Sequence, residues 1–271
     1  MDMLDRKQLT PSVHPDLIRL GVPRDGGYVV PEAQVRESTV LLSLGIREDW
    51  SFDRAFIALN PAVRVIGVDH SVGPAWFAKR IGRTLAGALA AGLRGNRRTL
   101  RKQVAALRGA VDYFVFFAAP HRHVRKRAAA ADSGVGIGLP TLLAMAAVDR
   151  DHGAFLKIDV EGSEYDLIRD IVGCERRIGA MVVEFHGLSR RAARFNQAIA
   201  QLLQHFRVVH VHGNNYAAYN PEHDFPDAVE VTFVHRALTT NPPVASRHTY
   251  PRPGLDYPNA PGRPDYSLRF E

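Results

Sequence analysis

The chain has 271 residues, of which 46% are hydrophobic, enough to bury a sizeable core and of a length common for one α/β domain with small terminal additions. Its formal net charge is +7 and Cys174 is its single cysteine, which excludes an intrachain disulfide. The opening MDMLDRKQLTPSVHPDLIRLG holds no apolar run resembling a signal peptide, and no later segment reaches the ~18 uninterrupted apolar residues of a membrane span, so the expectation is a soluble, cytoplasmic protein.

In chain order, apolar runs rich in β-branched and aromatic residues recur at TVLLSLG (39–45), VRVIGVD (63–69), VDYFVFF (111–117), AFLKIDV (154–160), AMVVEFH (180–186), FRVVHVH (206–212) and VEVTFVH (229–235), seven candidate strands. The intervals carry helical patterns at Trp50–Leu59, Trp76–Leu107 with glycine interruptions, Leu139–Val148, Ser163–Val172 and Ser189–His205. Buried strands alternating with helices predict a mostly parallel, doubly wound sheet. Between the last two strands lies only the turn-rich NNYAAYNPEHDFPDA, so the sheet is expected to close with an antiparallel strand. This is the order of the Rossmann-like, seven-stranded class I methyltransferases. The predicted organisation is an amino-terminal lid segment over 1–38, the Rossmann-like domain over 39–236, and an extension over 237–271 that holds seven of the 17 prolines and is expected to be irregular.

Charge is unevenly placed. Between Lys79 and Arg108 there are nine basic residues and no acidic one, within a basic helical insertion assigned to 73–110. An anionic partner and a plain solvated helix face are equal readings of this segment. From Lys79 to Arg108 there is no aromatic residue to stack on bases, which disfavours single-stranded RNA or DNA.

In open α/β sheets ligands bind at the carboxyl ends of the strands, near the switch in strand order. The first strand ends SLGIREDWSFD, where Gly45 permits a tight turn beside a ligand, Ser43 and Asp49 flank it, and Asp49 or Ser51 can cap the next helix. One glycine falls short of the several that a dinucleotide pyrophosphate needs, so the better fit is a nucleoside cofactor without phosphates, S-adenosylmethionine. The second strand ends VIGVDHS: Asp69, 24 residues after Gly45, is placed to accept from ribose hydroxyls, with His70 beside it. An ordinary βα turn and a helix N-cap are the competing explanations of Gly45 and Asp69.

In FLKIDVEGSEYDLI (155–168) the two-residue period puts Lys157, Asp159 and Glu161 on one side of the strand and Leu156, Ile158 and Val160 on the other. The chain then turns at Gly162, and Ser163 with Asp166 fits a capped helix start. The neighbouring AMVVEFHG brings Glu184 and His186 to the same edge, giving the candidate catalytic set Asp159, Glu161, Glu184 and His186; Glu164, on the helix, reads as structural. Methyl transfer to a hydroxyl requires in-line placement and removal of a proton from a weak nucleophile, by a base or with a divalent cation. Asp159, Glu184 and His186 are candidate ligands for Mg²⁺ or Mn²⁺. Tyr28, His212, Asn214 and Asn215 are candidate substrate contacts, though turn chemistry alone also accounts for HVHGNNY.

DGGYVVP (25–31), LLSLGIREDWSFD (41–53), GVDHS (67–71), KIDVEGSE within 155–168, VVEFHG (182–187), VHGNNY (211–216) and LDYPNAPGRPDYSLRF (255–270) together resemble FkbM-type methyltransferase domains over most of the chain. The resemblance implies an S-adenosylmethionine-dependent O-methyltransferase acting on a hydroxyl of a sugar, glycan, lipid or natural-product acceptor. The insertion 73–110 departs from the typical small domain of that family. Two rivals remain at this stage: a non-catalytic module on the same fold that docks on anionic glycans or a membrane surface, and an RNA methyltransferase, which the lack of an Asn-Pro-Pro-Tyr-like element disfavours.

Overall fold

The computed structural model describes residues 3–271; the first two residues of the expected segment 1–38 lie outside them. After a single 3-10 turn at Arg6–Leu9 come a hairpin, β1 (Leu17–Leu20) and β2 (Tyr28–Pro31), and a short helix, α1 (Glu32–Glu37). The chain continues through β3 (Val40–Leu44), α2 (Ser51–Leu59), β4 (Arg64–Val68), the helical pair α3 (Pro74–Leu93) and α4 (Arg97–Phe116), and β5 (Arg122–Val124). After the two-residue strands β6 (Arg127–Ala128) and β7 (Gly136–Ile137) come α5 (Leu139–Met145), β8 (Ala154–Ile158), α6 (Glu164–Gly173), β9 (Ile178–His186), α7 (Leu188–Leu202) and β10 (Phe206–Gly213). A small hairpin, β11 (Tyr219–Asn220) and β12 (Phe225–Pro226), precedes β13 (Ala228–His235).

Seven strands form the main sheet in the order β10-β13-β9-β8-β3-β4-β5. The pairs β3·β4, β3·β8, β4·β5 and β8·β9 are parallel, and β13 runs antiparallel between β9 and β10. This is the expected Rossmann-like α/β architecture with its antiparallel closing strand. The alternation of each strand sorts its apolar residues into two cores. Leu42, Leu44, Leu156 and Ile158 pack with α5, α6 and α7 on one face, whereas Leu41, Val65 and Phe155 pack with α2, β2 and the base of the α3–α4 pair on the other. Among the described residues no helix is long and apolar enough to cross a membrane.

Three expectations are corrected. VDYFVFF at 111–117 is the end of α4 rather than a strand: Ala110, Tyr113 and Phe116 are buried at helical spacing while Val111, Phe114 and Val115 are exposed. The edge position falls to the three-residue β5, whose RHV is too short and polar to register as an apolar run. The insertion is therefore an antiparallel helical pair running to Phe116, turned at Arg94–Asn96, where the Asn96 side chain accepts from the Thr99 amide and caps α4. Lastly, the segment expected as a lid puts Tyr28, Val30 and Val35 into the core beside Phe52. The proline-rich extension has only isolated bridges, Ser12 to Ala245 and Tyr250 to Leu268, and is fastened to the sheet by side chains.

Candidate active site

Two adjoining cavities open at the carboxyl edge, and Gly45, Arg47, Asp159 and Glu161 line both. Gly45 has φ +82°, and a Cβ there would meet the Asp159 carbonyl oxygen at 1.7 Å, so the turn between β3 and α2 demands glycine. The first cavity, about 410 Å³, lies over the ends of β3 and β4, with Asp69, His70, Ser71, Lys126 and Ser163 on its walls. The Asp69 carboxylate accepts from the Arg47 amide (2.9 Å) and from both the amide and hydroxyl of Ser71 (2.6 Å each). Burial opposes its ionisation, but these hydrogen bonds outweigh burial and hold its pKa below the usual value. Three of the four acceptor positions of the carboxylate are thus filled, and a ribose diol would find one free unless the Ser71 hydroxyl turns away.

The second cavity, about 440 Å³, lies over the ends of β8 and β9 and is walled by carboxylates: Asp25, Asp49, Asp53, Asp159, Glu161 and Glu184. Asp159, half-buried, lines both cavities. Lys157, buried on the same strand, donates to the Gly45 carbonyl at 2.9 Å and stands 3.5 Å from Asp159 Oδ2, to which the Tyr28 hydroxyl donates at 3.2 Å. Glu184 is buried; Asn214 Nδ2 donates to its Oε1 at 2.6 Å and the Tyr28 hydroxyl reaches its Oε2 at 3.5 Å. Burial first, and then the charge of Asp159, push the Glu184 pKa up to about 7. His186 Nε2 lies 3.4 Å from Glu184 and 3.9 Å from Asp159. Burial disfavours its charged form, yet Glu164 and Glu184 prevail and raise its pKa to about 11.

The turn into α6 is built around Glu164, whose carboxylate accepts from the Gly162 amide (2.8 Å) and the His186 amide (2.7 Å). Glu164 is structural, as expected, and it replaces the predicted Ser163 cap, which makes no side-chain hydrogen bond. An acid in this first turn also suits the helix dipole. Asp49 does accept from the Ser51 amide at 2.8 Å ahead of α2.

Of the predicted residues, Gly45, Asp49, Asp159, Glu161, Glu184, His186 and Asn214 line the second cavity, and Asp69 and His70 the first. Glu161 stays on the rim, paired with Arg47 at 2.9 Å. Four expectations fail on geometry. Ser43 is buried within β3, on the wall of neither cavity. Tyr28 lies beneath the carboxylates, its ring edge-on to Phe52 at 5.6 Å, where it supports them and cannot cover an acceptor. His212 is buried between Glu230 (3.3 Å) and Asp265 (2.9 Å), and Asn215 is spent on the extension, donating to the Ala260, Arg263 and Pro264 carbonyls at 3.2 Å each. Asp25 and Asp53 were missed: both belong to segments that read as turn or helix start, where an acid has an ordinary local explanation.

As to a cation, Asp159, Glu184 and His186 offer ligand atoms that all lie within 4.8 Å of one another, a hard oxygen-rich set with one imidazole. Donors on one Mg²⁺ at about 2.1 Å each stand no more than about 4.2 Å apart, so the three groups would have to close on an ion, and coordination would have to displace the imidazole proton.

No family model and no curated protein matches the chain. Among solved structures it is similar to precorrin-6y C5,15-methyltransferase from Geobacter metallireducens GS-15, with 13% identity over 76% of this chain and 86% of that one and a TM-score of 0.36. The O-methyltransferase TomG from Streptomyces achromogenes, involved in tomaymycin synthesis and solved in complex with SAM, is 10% identical over 74% of this chain and 75% of its own, with a TM-score of 0.33. A 16S rRNA (adenine(1408)-N(1))-methyltransferase from Catenulisporales acidiphilia is 13% identical over 80% and 97%, with a TM-score of 0.32. Likeness of this degree decides nothing about chemistry, which must be argued from the two cavities.

Proposed function

We propose that the protein is an S-adenosylmethionine-dependent O-methyltransferase of FkbM type, with the cofactor's nucleoside in the Asp69 cavity and the acceptor hydroxyl in the acidic cavity. The observation that carries this reading is the shared wall: Asp159 faces both cavities and is held between Lys157 and Tyr28, where a base must stand if a hydroxyl on one side is to meet a methyl group on the other. The cofactor would supply an electrophilic methyl on a sulfonium; Asp69 would accept from a ribose hydroxyl, and Gly45 would let the backbone approach. Asp159 would take the acceptor proton, with Glu184 and His186 fixing the hydroxyl. A wall of carboxylates favours acceptors rich in hydroxyl donors, such as sugars and glycans, over anionic ones at this cavity. A second reading is favoured by the clustered ligand atoms of Asp159, Glu184 and His186: a divalent cation held there would acidify the hydroxyl in place of a free base.

The test is transfer of labelled methyl to a panel of polyhydroxylated acceptors by wild type, Asp159→Asn and Glu184→Gln, with and without chelator. Base catalysis predicts kcat lower by ~10² in Asp159→Asn, cofactor affinity kept, and no effect of chelator. Loss of transfer on chelation and recovery with Mg²⁺ or Mn²⁺ would select the cation. Should both variants lose only about 1–3 kcal/mol of stability, with turnover per folded molecule unchanged, the carboxylates are scaffolding and the catalytic assignment fails.

A further inference from the structure

The helical pair α3–α4 presents a surface that the fold itself does not use. Only its base is embedded: Phe77 stacks on Tyr113 at 4.1 Å, and Trp50 packs against both Phe77 and Phe116. Toward the turn only the small Thr84 and Ala91 are buried on α3. Leu85, Leu89 and Leu93 recur every four residues on α3 and are 51%, 68% and 82% exposed, increasing toward the tip, and α4 exposes Val104. A water-facing row of leucines on a helix with nothing packed over it is unlike the scattered apolar residues of an ordinary surface.

The charge around this row is of one sign. Among the nine basic residues from Lys79 to Arg108, only Arg80 reaches a carboxylate among the described residues, that of Glu48. Arg94, Arg97, Arg98, Arg101 and Lys102, clustered at and just after the turn, are exposed and make no ion pair among the described residues. Exposed leucines ringed by unpaired cations suit one kind of partner best: an interface that is apolar inside and anionic at its surface. We propose that the α3–α4 tip docks the protein on membranes bearing anionic lipid headgroups, the leucines entering the acyl boundary and the arginines and Lys102 lying among the phosphates. A second copy of the chain is a poor occupant, since it would bring the same eight basic residues, without an acidic partner among the described residues, against these. A nucleic acid would leave the leucines unused and finds no aromatic side chain from Lys79 to Arg108 on which to stack a base.

The experiment is sedimentation of the full chain with vesicles of phosphatidylcholine alone or mixed with phosphatidylglycerol, at low and high salt. It reads partitioning, not turnover, so the docking proposal and the methyltransferase reading can fail separately. Binding is expected to the mixed vesicles only and to weaken with salt. Since each basic side chain near an anionic surface strengthens binding about fivefold, Arg97→Glu with Arg101→Glu should weaken it by more than about twentyfold. Leu89→Ser with Leu93→Ser should weaken it about tenfold or more at unchanged salt dependence. All four positions are exposed, so the melting temperature should stay within a degree or two of wild type. Equal binding to both vesicle types, no binding at low salt, or undiminished binding by either double variant overturns the proposal. So does a concentration-dependent dimer, or a complex with duplex or single-stranded RNA, found in place of vesicle binding.

Discussion

Asp53 sits in the first turn of α2, 1% exposed, and its Oδ1 has no hydrogen-bond partner among the described residues. Burial pushes its pKa up to about 6 against the attraction of Lys157. A carboxyl group that binds its proton more tightly folded than unfolded makes the folded state lose stability as pH rises from its unfolded value near 3.8 through 6, and leaves a constant deficit above. Asp53→Asn removes the titration. Its melting temperature should exceed that of wild type above pH 6, by an amount equivalent to about 1–3 kcal/mol, and the gain should disappear below pH 4. A gain that is flat across this range would refute the assignment. Residues of this kind are hard to read from sequence. Asp159, Glu184 and Asp69 are legible because each ends an apolar strand, where a carboxylate lacks a local reason; an acid opening a helix has one in the dipole.

At the level of elements, the extension 237–271 does more than cover the surface. Asp256 accepts from or pairs with His210 at 2.9 Å, Asp265 with His212 at 2.9 Å, and Asn259 Nδ2 donates to Glu230 at 2.7 Å, all within or against β10 and β13. Burial would discharge His212, but Asp265 and Glu230 together raise its pKa to about 10, so a charged imidazole lies between two carboxylates. The irregular tail thereby fixes the strand ends that carry Asn214, the donor to Glu184. Asn259→Ala should lower stability by about 1–3 kcal/mol, because buried Glu230 loses a donor it cannot replace with water, and the urea midpoint measures it. No change would mean that the tail is held by its backbone contacts alone. The composition of the tail foretold its irregularity, but not this attachment, since the pairing of His210 and His212 with acids more than 40 residues away leaves no local trace. The opposite failure occurred at 111–117, where composition favoured a strand and the 3.6-residue spacing of Ala110, Tyr113 and Phe116 decided for a helix.

On the scale of the whole molecule, the topology makes the two cavities neighbours. With β8 between β9 and β3, the carboxyl ends that bear Glu184, Asp159 and Gly45 are adjacent by strand order, and Asp69 follows on β4. The mostly parallel sheet and its antiparallel closing strand were readable from alternation and from the helix-free last connection, whereas the spatial order of the strands leaves no such local trace. The site's division of labour yields the final prediction. If the Asp69 cavity receives the nucleoside, Asp69→Ala should weaken S-adenosylmethionine binding at least tenfold, about 1.4 kcal/mol, by calorimetry without any acceptor present. Asp159→Asn, on the shared wall, should leave that affinity within about twofold of wild type while abolishing most turnover. Asp69→Ala also strands the Arg47 and Ser71 amides, so its melting temperature should fall and binding must be measured well below it. Unchanged affinity in the folded Asp69→Ala protein would place the ribose elsewhere. A tenfold loss confined to Asp159→Asn would move the cofactor into the acidic cavity and reverse the roles of the two chambers.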